Sequence, residues 1–102
     1  MIKIKEVFVL DEAVADLKEG KAFYDQIEVG VGSYFWDSLV SDIESLVLYA
    51  GIHPKQFGVF KMFSKRFPYA IYYEIYDDHA NIIAVLPMRR DPAWIASKMK
   101  RK

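Results

Sequence analysis

The sequence predicts an α+β domain: an N-terminal strand, a helical hairpin, then a three-strand antiparallel meander completing a small sheet, and a short C-terminal helix. Three observations carry this. Apolar residues between positions 11 and 50 recur at helical spacing, whereas those between 57 and 87 recur every second residue or in short runs. Polar or glycine-containing stretches separate these blocks, and each is short. At 102 residues the chain makes one domain with room for a real core, and an apolar fraction of 53% with 16% aromatics supports a folded globule.

Each element has its own signal. Residues 2 to 9 alternate as Ile2-Lys3-Ile4-Lys5 and then turn apolar through Val7, Phe8 and Val9, a strand entering from its exposed end. Asp11 is placed to cap a helix over 11 to 28, with Glu12 in the first turn, where the backbone dipole favours an acid. Val14, Leu17, Tyr24 and Ile27 form its stripe. Gly30 and Gly32 allow a tight reversal. Ser33 is placed to cap a second helix, whose stripe is Phe35, Leu39, Ile43, Leu46, Val47 and Ala50. Gly51 and Pro54 end it.

The meander begins with "FGVFKMF" at 57 to 63. In "FPYAIYYEIY" Phe67, Tyr69, Ile71, Tyr73 and Ile75 share one face, the expected core face beneath the helices. Ala70, Tyr72, Glu74 and Tyr76 share the other, which this reading leaves free of helices and open to a partner. "DDHAN" is read as the turn and "IIAVLPM" as the last strand. Asp91-Pro92 then opens the short terminal helix, with Pro92 at an early helical position.

The chain has no cysteine, so thiolate metal sites and disulfides are excluded. His53 and His79 fall in expected loops without ligand-spaced partners and are read as solvated, and no metal or cofactor is expected. No Gly-rich phosphate loop and no serine-nucleophile signature occurs. The start lacks a signal-peptide pattern, and the apolar runs of about seven residues fall well short of the roughly 20 that a spanning helix needs. A cytoplasmic protein with no membrane role is the expectation.

Formal net charge is zero, yet residues 11 to 50 carry nine acids against Lys18 and Lys21, and residues 51 to 102 carry ten bases against four acids. The basic residues supply the candidate site. Lys61, Lys65 and Arg66 flank the entry of the middle strand, and Arg89 and Arg90 flank the exit of the last. Pairing through the "DDHAN" turn brings Lys65 and Arg66 level with Arg89 and Arg90, so four cations are expected beside Tyr72. Guanidinium groups bind phosphates bidentately and stack on bases, and a tyrosine adds a stacking face and a phenol. On composition alone, solvated strand ends with an Asp-Pro turn are the favoured explanation of the same charges.

The segments "FYDQIEVGVGSYFWDSL", "RFPY", "FPYAIYYEI" and "IIAVLPMRRDPAWI" resemble the RelE/ParE superfamily of toxins from bacterial type II toxin–antitoxin (plasmid stabilization) modules, over roughly residues 5 to 96. The resemblance implies a protein that arrests growth when free and is neutralised by a cognate antitoxin. Two targets follow from it: DNA gyrase, bound by ParE-like members, or mRNA on the ribosome, cut by RelE-like members. A degenerate member that only binds its antitoxin is a further reading. For cleavage, Arg66, Arg90, Lys65, Lys61 and Tyr72 are the candidate catalytic residues. For partner binding, Arg89, Met88, Trp94 and Lys98 are the candidates. The chain departs from the nuclease pattern at Ala70, where an arginine is usual, and at Pro87, where many relatives carry histidine. Trp94 lies where some nucleases use a tyrosine. These departures favour the gyrase-binding reading.

Overall fold

The computed structural model describes residues 3 to 100; the expected strand start at Ile2 and the tail residues Arg101 and Lys102 lie outside the described residues. Strand β1 (Glu6–Val9) leads into α1 (Asp11–Ile27), α2 (Val31–Glu44) and one further turn, α3 (Leu46–Tyr49). The strands β2 (Lys55–Gln56), β3 (Val59–Phe63), β4 (Tyr69–Tyr76) and β5 (His79–Pro87) follow, and α4 (Pro92–Met99) ends the described fold. One five-stranded sheet has the order β1-β5-β4-β3-β2. Only β1 runs parallel to its neighbour; the other pairs are antiparallel.

The expected α+β layout is present, and α1 and α2 cover the expected core face. Leu17, Phe35, Leu39, Ile43 and Leu46 meet Tyr69, Ile71, Tyr73, Ile82 and Val85 there. Gly20 lies where α1 passes over this aromatic centre: a Cβ on it would come within 2.5 Å of the Phe35 ring. Tyr24, Phe35, Phe67 and Tyr69 form a ring cluster with centroids 4.8 to 5.2 Å apart in its closest pairs.

The opposite face is not open. Ala70 and Tyr72 of β4 join Val59, Ile83, Ala84 and Leu86 in a second core under Trp94, Ile95 and Met99 of α4. Tyr72 is 1% exposed. The sequence gives no hint of this, because Ala-Tyr-Glu on one face of a strand suits either a covered or an open surface. A bulge between Tyr72 and Tyr73 leaves Ile83 as an extra residue on β5: Tyr72 pairs with Ala84 and Tyr73 with Ile82. Alternation therefore breaks, and Ile83 and Ala84 both serve the α4 core while Ile82 and Val85 serve the other.

Several boundaries differ from expectation for local reasons. The N-cap position of α1 is Leu10, whose N–H bonds the Ile82 carbonyl, so Asp11 is the first helical residue and acts through the dipole with Glu12. Ser33 does not cap α2. Gly30 holds the N-cap position at φ 93°, and Asp25 of α1 reaches across to accept from the Gly32 N–H at 2.8 Å and from Lys21 Nζ at 3.0 Å. The Lys21 hydrogen bond keeps the Asp25 carboxyl below its usual range. The Ser45 hydroxyl donates back to the Asp42 carbonyl at 2.6 Å where the helix breaks, so Val47 falls out of the stripe and is exposed. β5 starts at His79, leaving only Asp77 and Asp78 as the turn, with Asp77 at φ 51°. β2 and β3 form a small hairpin whose loop residues Phe57 and Gly58 both have positive φ, the two-residue geometry whose twist matches the strands.

His53 is half-buried rather than solvated. The Tyr73 hydroxyl accepts from the Gly51 N–H at 3.0 Å and is hydrogen-bonded to His53 Nδ1. Burial lowers the His53 pKa.

Two outcomes follow. Gly20→Ala is expected to destabilise the fold by about 1–3 kcal/mol in urea unfolding, because the added methyl displaces the Phe35 ring. A folded-state His53 pKa below the unfolded value of about 6.5 means that the unfolded chain binds that proton more readily. The His53 contribution to stability is thus complete above about pH 6.5 and declines as pH falls through that value toward the folded pKa. Urea midpoints at successive pH values should show this decline, and it should shrink in His53→Gln.

Candidate functional site

The open end of the β4–β5 hairpin is closed by Tyr69 pairing with Pro87 and by the Met88 N–H donating to the Pro68 carbonyl at 2.8 Å. Beside it, β1 has already ended opposite Ile82, so the outer edge of β5 continues without a strand neighbour. Two devices finish that edge. Buried Asp16 of α1 accepts the Val85 N–H at 2.9 Å, and Pro87 has no N–H to satisfy.

Where α1 moves past this edge, a cavity of about 360 Å³ remains. Asp16, Glu19, Phe23 and Tyr24 wall it from α1, Tyr69 and Pro87 from the sheet, and Arg89, Arg90 and Trp94 from the segment leading into α4. That segment is fixed by Asp91, whose carboxylate accepts the Ala93 N–H at 2.8 Å, with Pro92 in the first turn. The cap delivers Trp94 to a place where the Arg90 guanidinium lies 4.1 Å from its ring centroid and Lys98 Nζ 5.4 Å. Among the described residues neither Arg89 nor Arg90 is in an ion pair with a carboxylate.

The phenols here are poor proton carriers at neutral pH. Burial, followed by the negative potential of Tyr24, Glu19 and Asp16, pushes Tyr69 up to about 12. Burial also raises Tyr24, opposed by the charge of Arg89. Burial raises Tyr72 as well. The site is therefore built for holding charge and flat groups: two arginines, an indole, and acidic groups on the facing wall.

The sequence candidates divide accordingly. Arg89, Arg90, Trp94 and Lys98 come together, and Met88 is exposed next to them. Lys65 and Arg66 are exposed at the strand-entry corner and do not line the cavity. Lys61 lies on β3, donating to Gln56 Oε1 at 2.8 Å with its ammonium over the Phe63 and Tyr72 rings at 5.1 and 5.9 Å. Because α4 encloses Tyr72, the four cations do not share an open face with it. Asp16, Glu19 and Phe23 escape sequence reasoning, although an aspartate inside the apolar stripe of α1 is a visible signal. Buried Asp42 escapes it too. Its Oδ2 accepts from Ser64 Oγ at 2.7 Å and from the Lys65 N–H at 3.2 Å, tying the corner that carries Lys65 and Arg66 to α2.

No family model and no curated protein matches the chain. Its fold is that of a chain in the solved structure of the chromosomal ParDE TA system from P. aeruginosa, with a TM-score of 0.76 over 84% of this chain and 98% of that one. At 15% identity this is a likeness of fold. The fold implied by the RelE/ParE resemblance is thus the fold found. Among the described residues no helix is long and apolar enough to cross a membrane.

Asp42→Ala is expected to cost about 1–3 kcal/mol, since it removes a charged acceptor from two donors. Amide exchange at Lys65 should quicken in the same variant.

Proposed function

We propose that this chain is the toxin of a bacterial type II toxin–antitoxin pair, acting in the cytoplasm by binding DNA gyrase and silenced by a cognate antitoxin. The observation that carries this reading is the fold likeness to a chain of the ParDE system, which extends over nearly all of that chain. The chemistry of the cavity supports binding over cleavage. Its phenols are raised well above neutrality, Pro87 stands where many members of the resembled superfamily carry a histidine, and Tyr72 is enclosed. A second reading, ribosome-dependent mRNA cleavage, draws on Arg89, Arg90 and Trp94, which suit a phosphate and a stacked base. An antitoxin-binding member without toxicity is the third.

Pulse labelling of DNA, RNA and protein synthesis, minutes after controlled expression in a bacterial host, separates the three. The expected result is that DNA synthesis fails first and that co-expression of the cognate antitoxin restores it. Arg89→Ala with Arg90→Ala should weaken toxicity and gyrase binding together, by about tenfold or more. Protein synthesis failing first would replace the gyrase reading with mRNA cleavage. Normal synthesis in every channel, with the protein folded and abundant, would leave only the antitoxin-binding role.

A further inference from the structure

α4 covers one part of its sheet face, the part formed by Val59, Ala70, Tyr72, Ile83, Ala84 and Leu86. Toward the Asp77-Asp78 turn the same face continues uncovered, and the register defines what it presents. Tyr76 pairs with His79, and His79 pairs with Glu6. Glu74 pairs with Asn81, and Asn81 pairs with Phe8. Paired residues project to the same side, so these six side chains form two rows of three across β4, β5 and β1. The ring contacts agree with this placement: Phe8 meets His79 edge-on at 5.2 Å, and Tyr76 stacks on His79 at 6.4 Å. Phe8 is 45% exposed and Tyr76 is 61% exposed.

The array has a regular chemistry. On β4 the ring of Tyr76 stands two residues from Glu74, and on β1 the ring of Phe8 stands two residues from Glu6. Each ring therefore has a carboxylate on its own face about 7 Å along the strand. Asp77 and Asp78 border the array, with Asp78 3.9 Å from the His79 imidazole and 3.8 Å from Lys5. A flat cation with several donors satisfies a ring face and a nearby carboxylate together, and guanidinium is the side-chain group of that shape. The two ring–carboxylate pairs are separated by one strand, so they lie about 10 Å apart.

We propose that this uncovered end of the sheet is a docking site for an arginine-bearing segment of a protein partner. The segment crosses the strands in polyproline II form, whose three residues per turn put arginines three residues apart on one side about 9 Å from each other, one at Tyr76–Glu74 and one at Phe8–Glu6. Charge selects the occupant. The carboxylates attract guanidinium and repel polyanions, so the surface takes a basic peptide and rejects nucleic acid, whose bases the rings alone would otherwise stack. The site is separate from the Arg89–Arg90 cavity and does not depend on the toxin reading.

The test is titration of the ¹⁵N-labelled full chain with a short capped peptide bearing two arginines about three residues apart. Expected are shifts concentrated at Glu6, Phe8, Glu74, Tyr76, His79 and Asn81. Affinity should fall about tenfold in Tyr76→Ala and in Glu74→Gln, and fall less when lysines replace the peptide's arginines. Asp37→Asn, which removes an exposed acid of α2, should leave affinity unchanged; both array positions are surface sites, and circular dichroism checks that each variant is folded. Absence of binding would overturn the proposal. So would shifts centred on α1 and α2, or an equal loss in Asp37→Asn, since either marks general attraction to acidic helices. Tighter binding of a single-stranded oligonucleotide at the same residues would replace the peptide with nucleic acid and overturn it as well.

Discussion

The bulge at Ile83 is the constraint on which the rest of the molecule depends. β5 lies between β1 and β4 and, like β4, contributes side chains to both cores. Without an extra residue, strict alternation would put Ile83 and Val85 on one face and Ala84 and Leu86 on the other. With it, Ile82 and Val85 face the helical hairpin while Ile83, Ala84 and Leu86 face α4. A one-residue shift in this strand would send Val85 out of the larger core and empty the seat of α4. The same strand aims the Val85 N–H at Asp16, which gives α1 its polar anchor on the sheet.

The cavity is a by-product of that arrangement. α1 must pass close to the Phe35 ring and, beside it, the Tyr69 hydroxyl, which is why a glycine is needed at position 20, and beyond that contact the helix leaves the outer edge of β5. On the other side, the seat of α4 on Tyr72 and Leu86 fixes where Trp94 lies, and Arg90 then covers its ring. Tyr72 contributes by burial, holding the helix that presents the indole. The raised phenols and the arginines follow from the same geometry: apolar packing removes water from Tyr69 while the strand exit keeps Arg89 and Arg90 in it.

Much of the fold could be read from the chain because its two periods are clean. Leu39 and Ile43 on α2, Leu46 at the start of α3, and Tyr69, Ile71 and Tyr73 on β4 occupy the faces their spacing implies. The bulge could not be read, because Ile82, Ile83, Ala84 and Val85 form one apolar run in which an extra residue leaves no mark. Long-range polar pairings were equally silent. Asp25 caps α2 from the preceding helix, and His53 meets Tyr73 across 20 positions. Asp42 holds Ser64 and Lys65 from a helix where it resembles any surface acid. Arg89 and Arg90 were visible as a pair at a strand exit, and Trp94 as their neighbour. What they face was not, since Asp16 and Glu19 are about 70 residues away along the chain.

That separation gives the charge asymmetry its structural meaning. The acidic first half and the basic second half are not sorted onto opposite ends of the molecule; at the cavity they form facing walls, Asp16 and Glu19 on α1 and Arg89 and Arg90 across from them. An occupant with negative charge alone gains attraction from the arginines and meets repulsion from the carboxylates. An occupant carrying both signs, with a flat apolar part for Trp94 and Phe23, meets no such conflict. A segment of folded or folding protein offers that combination more readily than a sugar–phosphate chain does, because side chains of either sign can be placed independently along it. The charges that line the cavity are therefore matched more closely by an occupant of mixed charge than by a uniform polyanion.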